Sequence, residues 1–175
     1  PGDGTTTGMD SGIALQDNQK LWGSGVSHSL LTTQGDISIP AQSGASPTIT
    51  NTNVDTEGNA ITLASNNAIS GFTIASAIND AIYGADCGNL DVSLCTFRET
   101  NTYAIEAASS VDADISITNN QFLNNVNGIS FNFNGTTQFV CSNNTFKGQS
   151  SVSNTPIEIL TQNNTLAATI QNNVF

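Results

Sequence analysis

One pattern returns at a nearly fixed step between Ala60 and Phe175. Each instance closes on an apolar residue, in Gly71-Phe72-Thr73-Ile74, Cys95-Thr96-Phe97, Asn120-Gln121-Phe122, Asn144-Thr145-Phe146 and Asn173-Val174-Phe175. The closing residues follow one another at steps of 23, 25, 24 and 29. Ile82, Ile105, Ile129 and Ile157 keep nearly the same step, at 23, 24 and 28. So do the alternating pairs Leu90 and Val92, Ile115 and Ile117, Phe139 and Cys141, and Ala168 and Ile170. A repeat of this length is the mark of a solenoid, in which each unit buries its apolar side only by stacking on its neighbours.

Each landmark is short, alternating and rich in β-branched residues, which is a strand pattern. Three strands and their polar corners use up about 24 residues and leave no room for a helix in each unit. The expectation is therefore an all-β fold, a right-handed single-stranded parallel β-helix of about six coils. Equivalent positions then stack at about 4.8 Å, so the four isoleucines form one interior column and Phe97, Phe122, Phe146 and Phe175 another.

The Asn-Asn-x-Phe corners and the Gly128-Ile129-Ser130-Phe131 strand resemble the repeats of the pectin-lyase-like parallel β-helix superfamily, over about two thirds of the chain. That superfamily holds polysaccharide lyases, glycoside hydrolases, phage tailspikes and the passengers of bacterial autotransporters, so the resemblance implies a fold more than an activity. For its enzymes it implies either a proton-abstracting Arg or Lys near carboxylate-bound Ca²⁺, or clustered carboxylates.

Composition agrees with a thin interior. The hydrophobic share is 37% and the charged share 10%, with a net charge of −11 and only Lys20, Arg98 and Lys147 positive. Binding to nucleic acid requires several clustered cations and is excluded; an anionic lipid surface is disfavoured for the same reason. No run of apolar residues is long enough to be a transmembrane helix. Of the three cysteines, Cys141 takes an interior strand position and is expected as a buried free thiol. Cys87 and Cys95 share one coil, and whether they pair is left to geometry.

Along the chain, residues 1–12 read as a flexible lead-in and Ile13 to Trp22 as the first coil. Residues 26–58 break the period and form a loop excursion, with strands expected at Asp36–Pro40 and Thr48–Thr50 and the only histidine at His28. Regular coils run over 60–175, within a single domain, with a loop expected over Lys147–Thr155. Trp22, beside Gly23, is placed to cap the open core or to act as a stacking platform for a sugar ring. The last coil ends on an apolar anchor, which points to further chain beyond Phe175 or to a partner stacked end to end.

Alternation directs Tyr83, Glu106, Ser130 and Glu158 outward on one sheet, and with Trp22 they are the candidate ligand contacts. Glu106 and Glu158 stand two rungs apart, about 9.6 Å, near the upper limit for an inverting carboxylate pair. They and Arg98 are the candidate catalytic residues. Asp91, Asp112 and Asp114, read as neighbours in adjacent coils, are the candidate Ca²⁺ ligands. The resemblance to autotransporter passengers, with long faces of Thr, Ser and Asn such as Ser116 and Thr169, implies instead a non-enzymatic secreted or cell-surface module of a bacterial envelope that contacts glycan or protein. A polysaccharide lyase or glycoside hydrolase is the second expectation and a self-assembling element the third.

Overall fold

The computed structural model describes residues 11–54, 57–148, 155–162 and 165–175. The proposed lead-in and most of the Lys147–Thr155 loop lie outside these residues. The chain winds as a parallel β-solenoid with coils of about 24 residues. Its first turn holds β1 (Ile13–Ala14) and β2 (Lys20–Trp22), then an antiparallel hairpin of β3 (His28–Thr32) and β4 (Gly35–Ile39), and closes with β5 (Thr48–Ile49). Four complete turns follow. They are β6 (Ile61–Thr62), β7 (Asn67–Ser70) and β8 (Thr73–Ala75); β9 (Ile82–Gly84), β10 (Leu90–Ser93) and β11 (Thr96–Arg98); β12 (Tyr103–Ser109), β13 (Ala113–Thr118) and β14 (Gln121–Leu123); and β15 (Asn127–Phe133), β16 (Thr137–Ser142) and β17 (Thr145–Lys147). A last, incomplete turn has β18 (Ile157–Thr161), β19 (Leu166–Gln171) and a single bridge from Thr145 to Val174.

The expected coil number of about six is corrected to about four. The first turn is interrupted by the hairpin, and the last lacks a full third strand. The excursion is also shorter than 26–58: β5 pairs with β8, and Thr48, Ile49, Thr50 and Asn51 are buried as parts of the coil.

Three parallel sheets form the walls: β1-β6-β9-β12-β15-β18, then β2-β7-β10-β13-β16-β19, then β5-β8-β11-β14-β17. The isoleucine column is in register from Ile13 through Ile61, Ile82, Ile105 and Ile129 to Ile157. Phe97, Phe122 and Phe146 lie beside one another on the third sheet, their rings stacked at 4.9 and 4.5 Å. Phe175 continues the stack at 5.2 Å but remains 69% exposed at the last rung. On the second sheet Leu90, Ile115, Phe139 and Ala168 form the third column.

The corners explain the abundance of Asn. Between the second and third sheets the chain turns through a left-handed residue in every rung from the second: Gly71, Leu94, Asn119, Asn143 and Asn172, with φ from 55 to 81°. Gly and Asn adopt this region at the least cost, and other L-residues less readily. Beside it, Asn120, Asn144 and Asn173 form a ladder along the axis. Asn120 Nδ2 donates to Asn144 Oδ1 and Asn144 Nδ2 to Asn173 Oδ1, both at 3.1 Å. Cys95 takes the next rung, where its backbone N–H donates to Asn120 Oδ1 at 2.9 Å. Leu94 is the misfit at the left-handed corner, half exposed at φ 55°. Leu94→Asn is expected to raise stability by about 1 kcal/mol, read as a higher urea midpoint with an unchanged slope.

All three cysteines are buried free thiols, Cys87 and Cys95 included. Burial pushes the Cys87 thiol up to about 12 and those of Cys95 and Cys141 to about 11. Among the described residues no helix is long and apolar enough to cross a membrane.

Candidate functional site

The first sheet sets its outward side chains in one row. Thr62 lies beside Tyr83, Tyr83 beside Glu106, Glu106 beside Ser130, and Ser130 beside Glu158. All are half-buried, because each leans on the next rung. The Ser130 hydroxyl donates to Glu158 Oε2 at 3.3 Å. Four of the five expected ligand contacts thus form a continuous strip parallel to the axis.

Two further residues belong to this strip and escape the alternation rule. Tyr103 opens β12, where Ala104 and Ile105 are both buried in succession, so the Tyr103 side chain is out of phase with the strand. Asp80 sits in the turn before β9 and is fully buried. Its Oδ1 accepts the Thr102 hydroxyl, and the Tyr103 N–H at 2.9 Å. Its Oδ2 is buried with no donor. The Glu106 carboxyl lies beside Asp80. The sequence signal for Asp80 is its position one coil after Asn59, whose Oδ1 accepts the Asp80 N–H: it is an interior corner residue with a charge.

The electrostatics follow from this crowding. Burial first, then the negative charge of Asp80, the hydrogen bond to it and the charge of Glu158 hold the Glu106 carboxyl above its usual 4.5. Burial likewise raises the Tyr103 phenol, helped by the charges of Glu158, Glu106 and Asp80 and by its hydrogen bond to Glu158. Because the folded chain holds the Glu106 proton more tightly than the unfolded chain does, this group's contribution is full below about pH 4.3. It is lost as pH rises through the raised folded value. Glu106→Gln, which offers Asp80 an amide donor and carries no charge, is expected to leave stability unchanged in acid and to raise it at neutral pH. Thermal midpoints across that range check the sign.

The other candidates lie elsewhere. Arg98 ends β11 on the third sheet, exposed, beside Thr73, Thr96 and Leu123, and shares no site with Glu106 or Glu158. The expectation that Asp112 and Asp114 stand beside Asp91 is corrected: Asp91 aligns with Ser116. The Ile115–Ser116–Ile117 alternation sets that register, so Asp114 falls one outward position earlier, where its N–H donates to Asn89 Oδ1 at 2.8 Å. Asp112 accepts the Thr136 N–H at 2.8 Å. Among the described residues no group of three metal-ligating side chains converges. Asp91 and Asp114 instead line a shallow groove of about 380 Å³ on the second sheet, with Asn89, Ser116, Gln138 and Val140. Burial raises the Asp91 carboxyl there, against the opposing charge of Lys20.

Trp22 does not cap the core. Leu21 pairs with Ile69 and points inward, so Trp22 points out from the second sheet. Its ring stacks on His28 at 4.9 Å and 6°, and the Lys20 ammonium sits 5.8 Å from it. His28 Nε2 is 2.7 Å from Gly23 O. The pair clasps the hairpin to the first turn.

Comparison with protein-family models, with curated proteins and with solved structures finds no match to this chain. The chemistry must therefore be argued from the strip itself. It offers two tyrosine rings, the carboxyl groups of Glu106 and Glu158 and the hydroxyls of Thr62 and Ser130, with the Asp80 carboxyl buried beneath them, and the strands of this sheet carry no Lys, Arg or His.

Proposed function

We propose that this chain is a non-enzymatic structural and adhesive module, secreted or displayed on a bacterial surface, that holds glycan along its first sheet. The observation that carries this reading is the in-register row Tyr83–Glu106–Ser130–Glu158 with Tyr103 beside it. Tyrosine rings give large contact area at low entropic cost. Carboxylates and hydroxyls bond sugar hydroxyls, and the row repeats these groups at the strand spacing. A chain of net charge −11 repels uronate polymers, which turns the reading toward neutral or cationic glycans and away from the acidic substrates of a lyase.

The test is a panel of immobilised glycans probed with the wild type and with Tyr83→Ala. Retention on one class, weakened about fivefold or more by Tyr83→Ala and untouched by Ser116→Ala on the second sheet, supports the module. Equal retention of all three proteins argues for contact elsewhere. A hydrolase remains the second reading because burial and the charge of Asp80 hold the Glu106 carboxyl above its usual range, the direction a general acid needs. Release of reducing ends from a polysaccharide, abolished by Glu106→Gln, would replace the first reading with this one.

A further inference from the structure

The first sheet holds an unmatched quantity of negative charge. Asp80, Glu106 and Glu158 gather on it with two tyrosines, while the three cationic side chains lie on the other walls, Lys20 on β2, Arg98 on β11 and Lys147 on β17. Asp80 is fully buried, with one oxygen lacking a donor. A buried carboxyl group without a cation leaves a cost that a bound cation removes. Metal geometry is absent among the described residues, so the fitting cation is one that donates hydrogen bonds to a few scattered oxygens and rests against tyrosine rings, which is an organic ammonium.

We propose that the strip binds an amino-sugar chain, a β-1,4-linked hexosamine polymer with free amines, laid parallel to the solenoid axis. This deepens the glycan reading above and rests on it. One ammonium seats on the half-buried Glu106 carboxyl, with the buried Asp80 carboxyl behind it. Another seats on Glu158, whose Oε2 is oriented by Ser130. The two seats are two rungs apart, about 9.6 Å. Alternate sugars of an extended β-1,4 chain present the same edge to one side at close to that repeat. Tyr83, one rung before Glu106, and Tyr103, at the start of the Glu106 strand, supply rings beside the first seat. The titratable groups that face these seats are Asp80 from the turn before β9, Tyr83 from β9, Tyr103 and Glu106 from β12, and Glu158 from β18; the intervening strand β15 contributes the uncharged Ser130 and Asn132.

The test compares the hexamer of β-1,4-linked glucosamine with the same hexamer fully N-acetylated, by calorimetric titration at about pH 6, below the ordinary range of an amine. The free-amine hexamer is expected to bind at least about tenfold more tightly. Glu106→Gln and Glu158→Gln should each remove about fivefold or more of that affinity, and the double variant the whole preference. Asp36→Asn on the hairpin and Asp114→Asn on the second sheet remove the same charge elsewhere and should change binding less than about twofold. Far-UV circular dichroism confirms that the near-isosteric variants are folded. Equal affinity for the two hexamers overturns the proposal, as do equal losses in the control variants or equally tight binding of hexalysine. If neither hexamer binds but a neutral glycan of the panel does, the amino-sugar proposal falls and the adhesive module stands; if no glycan binds, both fall.

Discussion

Phe122→Ala is expected to destabilise the solenoid by about 3–5 kcal/mol. Phe122 is wholly buried, and its ring lies between those of Phe97 and Phe146 at 4.9 and 4.5 Å. Truncation removes the transfer energy of a large aromatic ring and leaves a cavity flanked by two stacked rings that the rungs hold apart. The strands on either side are pinned by their own ladders, so the rungs cannot close over the gap. Relaxation is therefore small, and the cost belongs at the upper end of the range. In a domain whose whole stability is of the order of 5–15 kcal/mol, urea denaturation should show a midpoint far below that of the wild type. A loss under about 1 kcal/mol would mean that the phenylalanine column is not continuous. Phe175→Ala, at the exposed end of the same column, should cost much less.

Asn144→Ala is expected to cost about 2–5 kcal/mol, from two or more buried polar groups each left unpaired at about 1–3 kcal/mol. Asn144 is buried at the middle of the corner ladder. Its Oδ1 accepts the Asn120 N–H at 2.8 Å, and its Nδ2 donates to the Ile117 carbonyl at 2.8 Å as well as to Asn173. Asn120 on the preceding rung and Cys141 in the same one are both buried, and Asn173 on the following rung is half-buried. Asn144→Asp keeps an acceptor for Asn120 but loses the donor to Ile117 and introduces a buried charge, so it should be no better tolerated. Hydrogen exchange at Asn120 separates a local effect from a global one: the amide should lose protection well before those of β13 if the corner alone opens.

These two side chains illustrate which parts of the molecule were legible beforehand. The columns are legible because stacking converts a step in sequence into a contact in space, so Ile82, Ile105, Ile129 and Ile157, or Asn120, Asn144 and Asn173, identify one another without any neighbour being known. The rule fails where the strand departs from strict alternation. Tyr103 is followed by two buried residues, so counting from Ile105 assigns it to the interior, and the structure puts it beside Glu106 on the outer strip. Asp80 is an interior corner position, and its charge reads like one more solvated turn until its burial is seen. The hairpin carries its own period of two and interrupts the first coil, which is why the regular step gave no boundary for it and inflated the coil count. Trp22 looked like a cap because it is a lone large aromatic near one end. The direction of Leu21 decides otherwise, and that direction is set by pairing with Ile69 from a coil 48 residues later.

The outer strip depends on the same register as the core: if Ile105 lies over Ile129, Glu106 must lie over Ser130. Cysteines placed at these outward positions report that register directly. In a parallel pair the two Cα atoms are about 4.8 Å apart, inside the about 4.4–6.8 Å that a disulfide spans. Moving one partner two residues along the strand, to Asn132, takes the separation to about 8 Å, outside it. The native thiols do not compete, being buried and held protonated to about 11 or above. Under mild oxidation, Glu106→Cys with Ser130→Cys should cross-link nearly completely and Glu106→Cys with Asn132→Cys should not, as read by mass spectrometry of the digested protein. Cross-linking of the second pair in place of the first, or of neither, would contradict the stacked register and with it the strip of carboxyls and tyrosines.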